Sequence, residues 1–152
     1  MTTKPYVEVR VTRRFSASPE RVFDAWLDAQ QAASWMFATP TGEMVRAEID
    51  ARVGGTFCFV DRRDGEDVEH TGEYLEIDRP RRLVFTFSVD SSEADRVSID
   101  IVPLETGCEL TLTHELHPVW AEYASRAEEG WSTMLDGLAQ ALGERSQPLP
   151  LE

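Results

Sequence analysis

The chain has 152 residues, a hydrophobic fraction of 41% and a formal net charge of -13 at neutral pH. This length suits one domain with a full core, and no stretch approaches the roughly 20 apolar residues of a membrane-spanning helix. Because an acidic surface repels phosphates and anionic lipids, neither nucleic acids nor membranes are expected as partners.

Residue usage and the N-terminus indicate the cellular setting. Residues 1–5 lack the basic-then-apolar layout of a signal peptide, so a cytoplasmic protein is expected. Lys4 is the only lysine and asparagine is absent, which is typical of a GC-rich prokaryotic genome. Cys58 and Cys108 are expected to be free strand residues, since a reducing compartment disfavours disulfides and their spacing fits no metal motif.

The N-terminal segment predicts a strand followed by two short helices. Val7 to Phe15 alternates apolar and polar residues, as a half-buried strand does. Ser18 is suited to cap a helix and Pro19 to occupy its first position. A second helix is expected over Gln30 to Met36. The buried stripe of the first helix is Val22, Phe23, Trp26 and Leu27.

From Glu43 the hydrophobic period becomes two, which predicts six further strands. Asp64-Gly65 is a strong hairpin signal, and the succession of hairpins makes the sheet antiparallel. The predicted strands are Met44–Ile49, Thr56–Asp61, Glu69–Ile77, Leu83–Val89, Val97–Ile101 and Leu110–Leu116.

The C-terminal segment predicts a long amphipathic helix from Pro118 to about Leu142, with Gly143 as its cap. The element order is therefore β-α-α-β6-α, and its economical packing is an α+β helix-grip fold. In this fold a curved antiparallel sheet of about seven strands closes over the last helix. One domain is expected over residues 7–143, with flexible termini at 1–6 and 144–152.

Four motifs, taken in order and spacing, resemble the START-like (SRPBCC) superfamily. The branch they are most similar to is the homologues of the C-terminal domain of the activator of heat-shock-protein-90 ATPase. The resemblance spans roughly residues 7 to 143. The motifs are Ser18–Trp26, Arg52–Phe57, Gly72–Ile77 followed by Pro80–Phe87, and Gly107–His114 ahead of a helix that contains Gly130-Trp131.

This resemblance implies a deep apolar cavity between sheet and helix. Members of the superfamily bind lipids, sterols, polyketides or other hydrophobic small molecules, some act as cyclases, and some sequester toxic natural products. The chaperone-activator function belongs to a eukaryotic protein with a further N-terminal domain to which nothing in this chain corresponds. Chaperone activation is therefore not carried over.

The sequence predicts neither a metal site nor a catalytic set. His114 and His117 lie three apart in a predicted strand and so point to opposite faces, which prevents both from binding one ion. His114 is expected to point inward with Leu110 and Leu112. No nucleophile-and-base pair and no phosphate-binding glycine loop can be assigned from spacing, so no cofactor is expected.

The inward aromatic residues are the best candidates for contact with a small molecule. Trp35 to Phe37 is expected near the cavity mouth, and His70, Tyr74 and His114 are polar tips suited to orient a carbonyl or hydroxyl group. The predicted ligand-binding residues are Trp35, Met36, Phe37, Phe57, Phe59, His70, Tyr74, Phe85, Phe87, His114, Trp120, Tyr123, Trp131 and Met134.

The leading functional hypothesis is non-catalytic binding of a hydrophobic small molecule by a monomer or homodimer. Two alternatives remain open at this stage. One is a cyclase or hydrolase that uses His70 or His114 as general acid or base in the same cavity. The other is a protein-interaction module, chaperone-linked or self-associating.

Overall fold

The computed structural model describes residues 7–36, 42–89, 94–116 and 122–143. Within these ranges the elements follow the predicted order of one strand, two short helices, six strands and one long helix. The elements are β1 (Val7–Phe15), α1 (Pro19–Ala25), α2 (Ala29–Ala32), β2 (Glu43–Ile49), β3 (Thr56–Arg63), β4 (Glu66–Asp78), β5 (Arg82–Val89), β6 (Asp95–Pro103), β7 (Cys108–Leu116) and α3 (Ala124–Ala141).

The seven strands form one antiparallel sheet in the order β1-β7-β6-β5-β4-β3-β2. Five of the six strand pairs join neighbours in sequence, and β1 closes the sheet against β7 with Val9 opposite His114. Asp64 and Gly65 form the β3–β4 turn with positive φ angles of 50° and 82°. The α+β helix-grip prediction is therefore confirmed.

Alternation along β7 defines the concave face that α3 covers. Cys108, Leu110, Leu112, His114 and Leu116 are buried, and the residues between them are half-buried. Side chains of successive strand residues point to opposite faces, so the buried set shares one face. His114 lies inward, as predicted.

One glycine on β4 leaves room for an aromatic ring of the core. A Cβ atom added at Gly72 would lie 1.9 Å from the Thr86 carbonyl oxygen and 2.5 Å from the Phe57 ring. A β-bulge follows, because Tyr74 pairs with Phe85 while Glu76 pairs with Val84. The bulge bends the strand, and the missing side chain leaves room for the Phe57 ring.

The helices are capped and anchored by side chains that the sequence places at their ends. The Ser18 hydroxyl accepts a hydrogen bond from the Arg21 amide at the start of α1, as predicted. Arg21 Nη2 donates to the Leu142 carbonyl at 2.8 Å, which ties α1 to the end of α3. Gly143 follows with a φ of 81°, as its predicted capping position requires.

The other flank of α3 is held by β1. Arg13 points to the concave face and forms an ion pair with Asp136, and its Nη2 donates to Ser132 Oγ at 2.9 Å. The Arg13 side chain is only 13% exposed. Charged hydrogen bonds of this kind are stronger than neutral ones, so they fix the helix against this edge of the sheet.

Several predicted boundaries differ from the structure. The second helix is four residues long and ends at Ala32, because the chain continues as turns to Met36. The third and fourth strands extend to Arg63 and from Glu66 because their hairpin turn is only two residues long. The predicted start of the last helix at Pro118 lies outside the described residues.

Two further features concern the described ranges as a whole. Cys58 and Cys108 form no disulfide. None of the helices in these ranges is long and apolar enough to cross a membrane.

Candidate functional site

The interior between the concave face and α3 has two regions of different chemistry. We call the first the histidine end: His70, Phe87, Asp95, His114 and Trp131. We call the second the indole end: Trp26, Trp35, Phe57, Tyr74 and Phe85.

The two regions lie toward opposite ends of the sheet. The histidine end is where β5 and β7 finish and β6 begins, at Val89, Leu116 and Asp95. The indole end includes α1 and α2, which follow the finish of β1 at the other end of the sheet. The site therefore has polar groups at the histidine end and mainly apolar rings at the indole end of one concave surface.

A chain of two hydrogen bonds runs through the histidine end. Trp131 Nε1 on α3 donates to His114 Nδ1 on β7 at 3.0 Å. His114 Nε2 lies 3.0 Å from Asp95 Oδ2 on β6. Both rings are buried, and the Asp95 side chain is about one-fifth exposed. The chain connects the gripping helix to two strands of the sheet.

The chemistry of these groups assigns the tautomer of His114. An indole nitrogen can only donate, so His114 Nδ1 accepts and carries no proton. The proton of the ring is then on Nε2, which donates to the Asp95 carboxylate. Both ring nitrogens of His114 are therefore hydrogen-bonded within the protein.

Phe87 is the centre of the ring contacts at this end. Its centroid lies 5.6 Å from that of Trp131, 6.0 Å from His114 and 6.1 Å from His70. The His70 ring is nearly parallel to the Phe87 ring, at 13°. His70 Nδ1 lies 3.3 Å from the Phe59 carbonyl, which can only accept, so this nitrogen carries the proton in that contact.

Two charged residues of β3 form an ion pair on the concave face near His70. Asp61 is the next inward residue after Phe57 and Phe59, and its side chain is fully buried. Arg63 Nε donates to Asp61 Oδ2 at 2.7 Å. Neither Asp61 nor Asp95 was among the predicted site residues, although continuing the period-two pattern of β3 and β6 places both inward.

The indole end is a cluster of rings in edge-to-face and tilted contact. Trp26 and Trp35 lie 4.8 Å apart between centroids with planes at 83°. Phe85 lies 6.4 Å from Trp26 and 5.5 Å from Phe57, which also contacts Tyr74 at 5.7 Å. Such pairs contribute about 0.5–1.5 kcal/mol each beyond the burial of their area.

Three polar atoms of the indole end lie in apolar surroundings. The Nε1 atoms of Trp26 and Trp35 are buried and have no hydrogen-bond partner in the described part of the chain. Burial also raises the pKa of Tyr74 well above its usual range, and the negative charge of Asp50 adds to this shift. Tyr74 therefore stays protonated at neutral pH and keeps a hydroxyl that can donate.

Trp35 packs against α3 at Gly137, where the helix has no side chain. A Cβ atom added at Gly137 would lie 3.2 Å from the Trp35 Cβ. This close approach seats the segment after α2 against the helix. Met36 next to it is also buried.

The structure brings most of the predicted site residues to the interior. Phe57, Phe59, Tyr74, Phe85 and Trp131 are buried with Trp35, Met36, His70 and His114, while Phe87 and Met134 are half-buried. Tyr123 lies apart from them: it is 38% exposed just before α3, with the Arg126 guanidinium 5.6 Å from its ring centre. The predicted contacts at Phe37 and Trp120 lie outside the described residues.

In the described ranges, no group of three or more His, Cys, Asp or Glu side chains converges in a way that could hold a metal ion. His117, the second histidine of the His114–His117 motif, is not in these ranges.

Solved structures share this fold over nearly their whole length. Protein CV1439 from Chromobacterium violaceum is 30% identical, with a TM-score of 0.79 over 88% of this chain and 95% of its own. Protein NE0264 from Nitrosomonas europaea is 18% identical, with a TM-score of 0.80 over 94% and 98%. An AHSA1-like protein from Aeromonas hydrophila is 20% identical, with a TM-score of 0.77 over 90% and 92%.

No curated protein matches the chain. The family model described as "Activator of Hsp90 ATPase homolog 1-like protein" matches residues 16–143, which include every element from α1 to α3. The chain therefore belongs to this family, a branch of the START-like superfamily.

Proposed function

We propose that this protein binds a hydrophobic small molecule, without catalysis, between the concave face of the sheet and α3. The observation that carries the proposal is the convergence of aromatic rings from β3, β4, β5 and α3 on one concave face that also holds two buried histidines. Small-molecule sites are mostly apolar with a few polar groups that fix orientation. The two ends of this interior supply both parts.

The state of His114 favours binding over catalysis. A general base needs a ring nitrogen within hydrogen-bond reach of the substrate proton. Both nitrogens of His114 are already paired, with Trp131 and with Asp95. A reaction routed through His114 would first have to break one of these bonds.

The ring arrangement around Phe87 supports contact with a flat or ring-containing ligand. Phe87 is half-buried and has three rings around it at 5.6–6.1 Å. A guest stacked here would exchange water for aromatic surface, at about 25 cal/mol for each Å² of apolar area removed from water.

The proposal is tested by native mass spectrometry of freshly purified protein and by titration with two apolar probes, fluorene and palmitic acid. We expect either a co-purified mass or a saturable change in tryptophan fluorescence with a dissociation constant in the micromolar range or below. The absence of a co-purified mass together with no saturable change for either probe would refute the proposal.

A matched pair of variants locates the binding surface. Phe87→Ala removes a ring from the concave face, while Val102→Ala shortens a side chain that is 56% exposed on β6. We expect Phe87→Ala to weaken binding of the better probe at least fivefold in calorimetry and Val102→Ala to leave it unchanged. Circular dichroism checks that both variants fold; equal affinities in folded variants would exclude Phe87 from the binding surface.

A further inference from the structure

The indole end has hydrogen-bond donors that the protein does not use. The Trp26 and Trp35 side chains are only 1% and 2% exposed, and neither Nε1 atom has a partner in the described part of the chain. A buried donor without an acceptor destabilises the fold, because nothing compensates for the loss of its hydration. Two such donors on rings in direct contact therefore call for an explanation at this one place.

Contact between the two rings does not remove the problem. In an edge-to-face pair, the edge of one ring points at the face of the other, and an N–H on that edge can make a weak bond to the face. The second ring presents its face, so its own N–H points along its plane and away from this contact. Within the described part of the chain, the contact between the two rings therefore leaves at least one indole N–H without a hydrogen-bond acceptor.

The surroundings determine which kind of acceptor is suitable. Trp26 contacts the rings of Trp35 and Phe85. The arginines beside α1 are already bound, Arg21 to the Leu142 carbonyl and Arg79 to Asp24, and the negative charge of Asp50 acts on Tyr74. A carboxylate placed here would lose its hydration without gaining a cation, whereas a neutral carbonyl group loses much less and an indole N–H bond can compensate for it.

We infer that Trp26 and Trp35 form a recognition site for a neutral carbonyl oxygen, such as that of a ketone, quinone or ester, on an otherwise apolar ligand. The inference rests on the proposed function and adds the polar feature that the ligand must have. The indole N–H groups donate to the oxygen while Phe57 and Phe85 face the apolar body. Both tryptophans act by hydrogen bonding, and no bond is made or broken.

A matched pair of probes tests the inference. Fluorene and 9-fluorenone have the same rigid ring system and differ in one CH₂ or C=O group. We expect the protein to bind fluorenone about fivefold to tenfold more tightly, the factor that one net hydrogen bond supplies. In ¹H–¹⁵N spectra of the wild-type protein, at least one of the Trp26 and Trp35 indole protons should shift downfield with fluorenone and not with fluorene.

Variants assign the effect to the two indoles. Trp26→Phe and Trp35→Phe each keep an aromatic ring and remove the N–H. We expect at least one of them to bring the fluorenone-to-fluorene affinity ratio close to one, while Val102→Ala keeps the wild-type ratio. Both affinities are measured on the same variant, so a loss of affinity common to both probes does not change their ratio. The spectra of the wild-type protein test the inference even if a variant fails to fold.

The possible results separate this inference from the proposed function. Equal binding of both probes with unshifted indole protons would overturn the carbonyl site and leave the apolar binding proposal intact. Indole protons that contact a bound water in the free protein and still do so with fluorenone would also overturn it. Failure of both probes and of palmitic acid to bind would remove the proposed function, and this inference with it.

Discussion

The two ends of the interior differ in whether their indole N–H groups are hydrogen-bonded. At the histidine end, the Trp131 indole donates to His114 at 3.0 Å, and His114 is held in turn by Asp95. At the indole end, the Nε1 atoms of Trp26 and Trp35 have no partner in the described ranges. A satisfied network fixes structure, whereas unused donors are available for recognition. The hydrogen bonds of the histidine end therefore fix the structure, while the indole N–H groups of the other end are available to a ligand.

The largest expected effect concerns how tightly the indole end is packed. Phe57→Ala should lower the free energy of unfolding by about 3–5 kcal/mol, because Phe57 is buried among three aromatic neighbours and the surroundings close only partly around a cavity. Urea unfolding at pH 7 measures it. Val53→Ala, at a side chain that is 61% exposed, is the control and should change stability by less than about 0.5 kcal/mol. A loss below about 1 kcal/mol for Phe57→Ala would mean that this end is loosely packed.

The next effect compares the two kinds of indole directly. Trp131→Phe and Trp35→Phe remove the same atoms from side chains that are 3% and 2% exposed. Only the first change leaves a buried acceptor, His114 Nδ1, without its donor, so Trp131→Phe should cost about 1–3 kcal/mol more. Urea unfolding of both variants gives the difference. Equal losses would show that the Trp131–His114 hydrogen bond contributes nothing to stability.

A third effect appears only at high pH. Burial raises the pKa of Tyr74, so its folded-state value lies above the unfolded value of about 10. Stability from the protonated hydroxyl is complete below about pH 10 and is lost as the pH rises, by about 1.4 kcal/mol for each pH unit. Unfolding curves at pH 9 and pH 11 should show a smaller loss for Tyr74→Phe than for the wild type. Parallel losses would show that Tyr74 ionises as readily in the folded chain as in the unfolded one.

The smallest effect belongs to the outer surface beside the indole end. Hydrogen bonding to Arg79 lowers the pKa of Asp24 on α1, and the pair connects this helix to the β4–β5 turn. Because the pKa of Asp24 is lower in the folded chain than in the unfolded chain, its ionised form stabilises the fold above the ordinary carboxyl range. This contribution is lost as the pH falls. Asp24→Asn should therefore cause a slight decrease in stability at pH 7 that becomes smaller as the pH falls below the ordinary carboxyl range and in high salt, because exposed pairs are screened. A decrease of equal size at pH 7 and pH 3 would have another origin.

The fold could be predicted because its signals are local. Alternation in β7, the Asp64-Gly65 turn and the capping role of Ser18 each depend on residues close in sequence, and the structure confirms them. The end of α2 at Ala32 was predicted four residues too late, because the apolar residues that follow it pack inward from turns rather than from a helix.

The site was harder to predict because its decisive contacts are long-range. The inward positions of Asp61 and Asp95 follow from extending the strand periodicity in β3 and β6. The bond from Trp131 to His114 does not, since it depends on where α3 crosses the sheet. That Trp26 Nε1 has no partner in the described ranges could not be predicted either, because a helical stripe shows that a residue is buried and not which atoms surround its nitrogen.

Charged side chains attach α3 at two places. Arg13 binds Asp136 and Ser132 from β1, and Arg21 of α1 donates to the Leu142 carbonyl at the end of the helix. Between these attachments the helix meets Trp35 across the bare backbone of Gly137. A helix held from both sides cannot turn outward about one edge of the sheet, so we expect the size limit for a bound molecule to be sharp rather than graded.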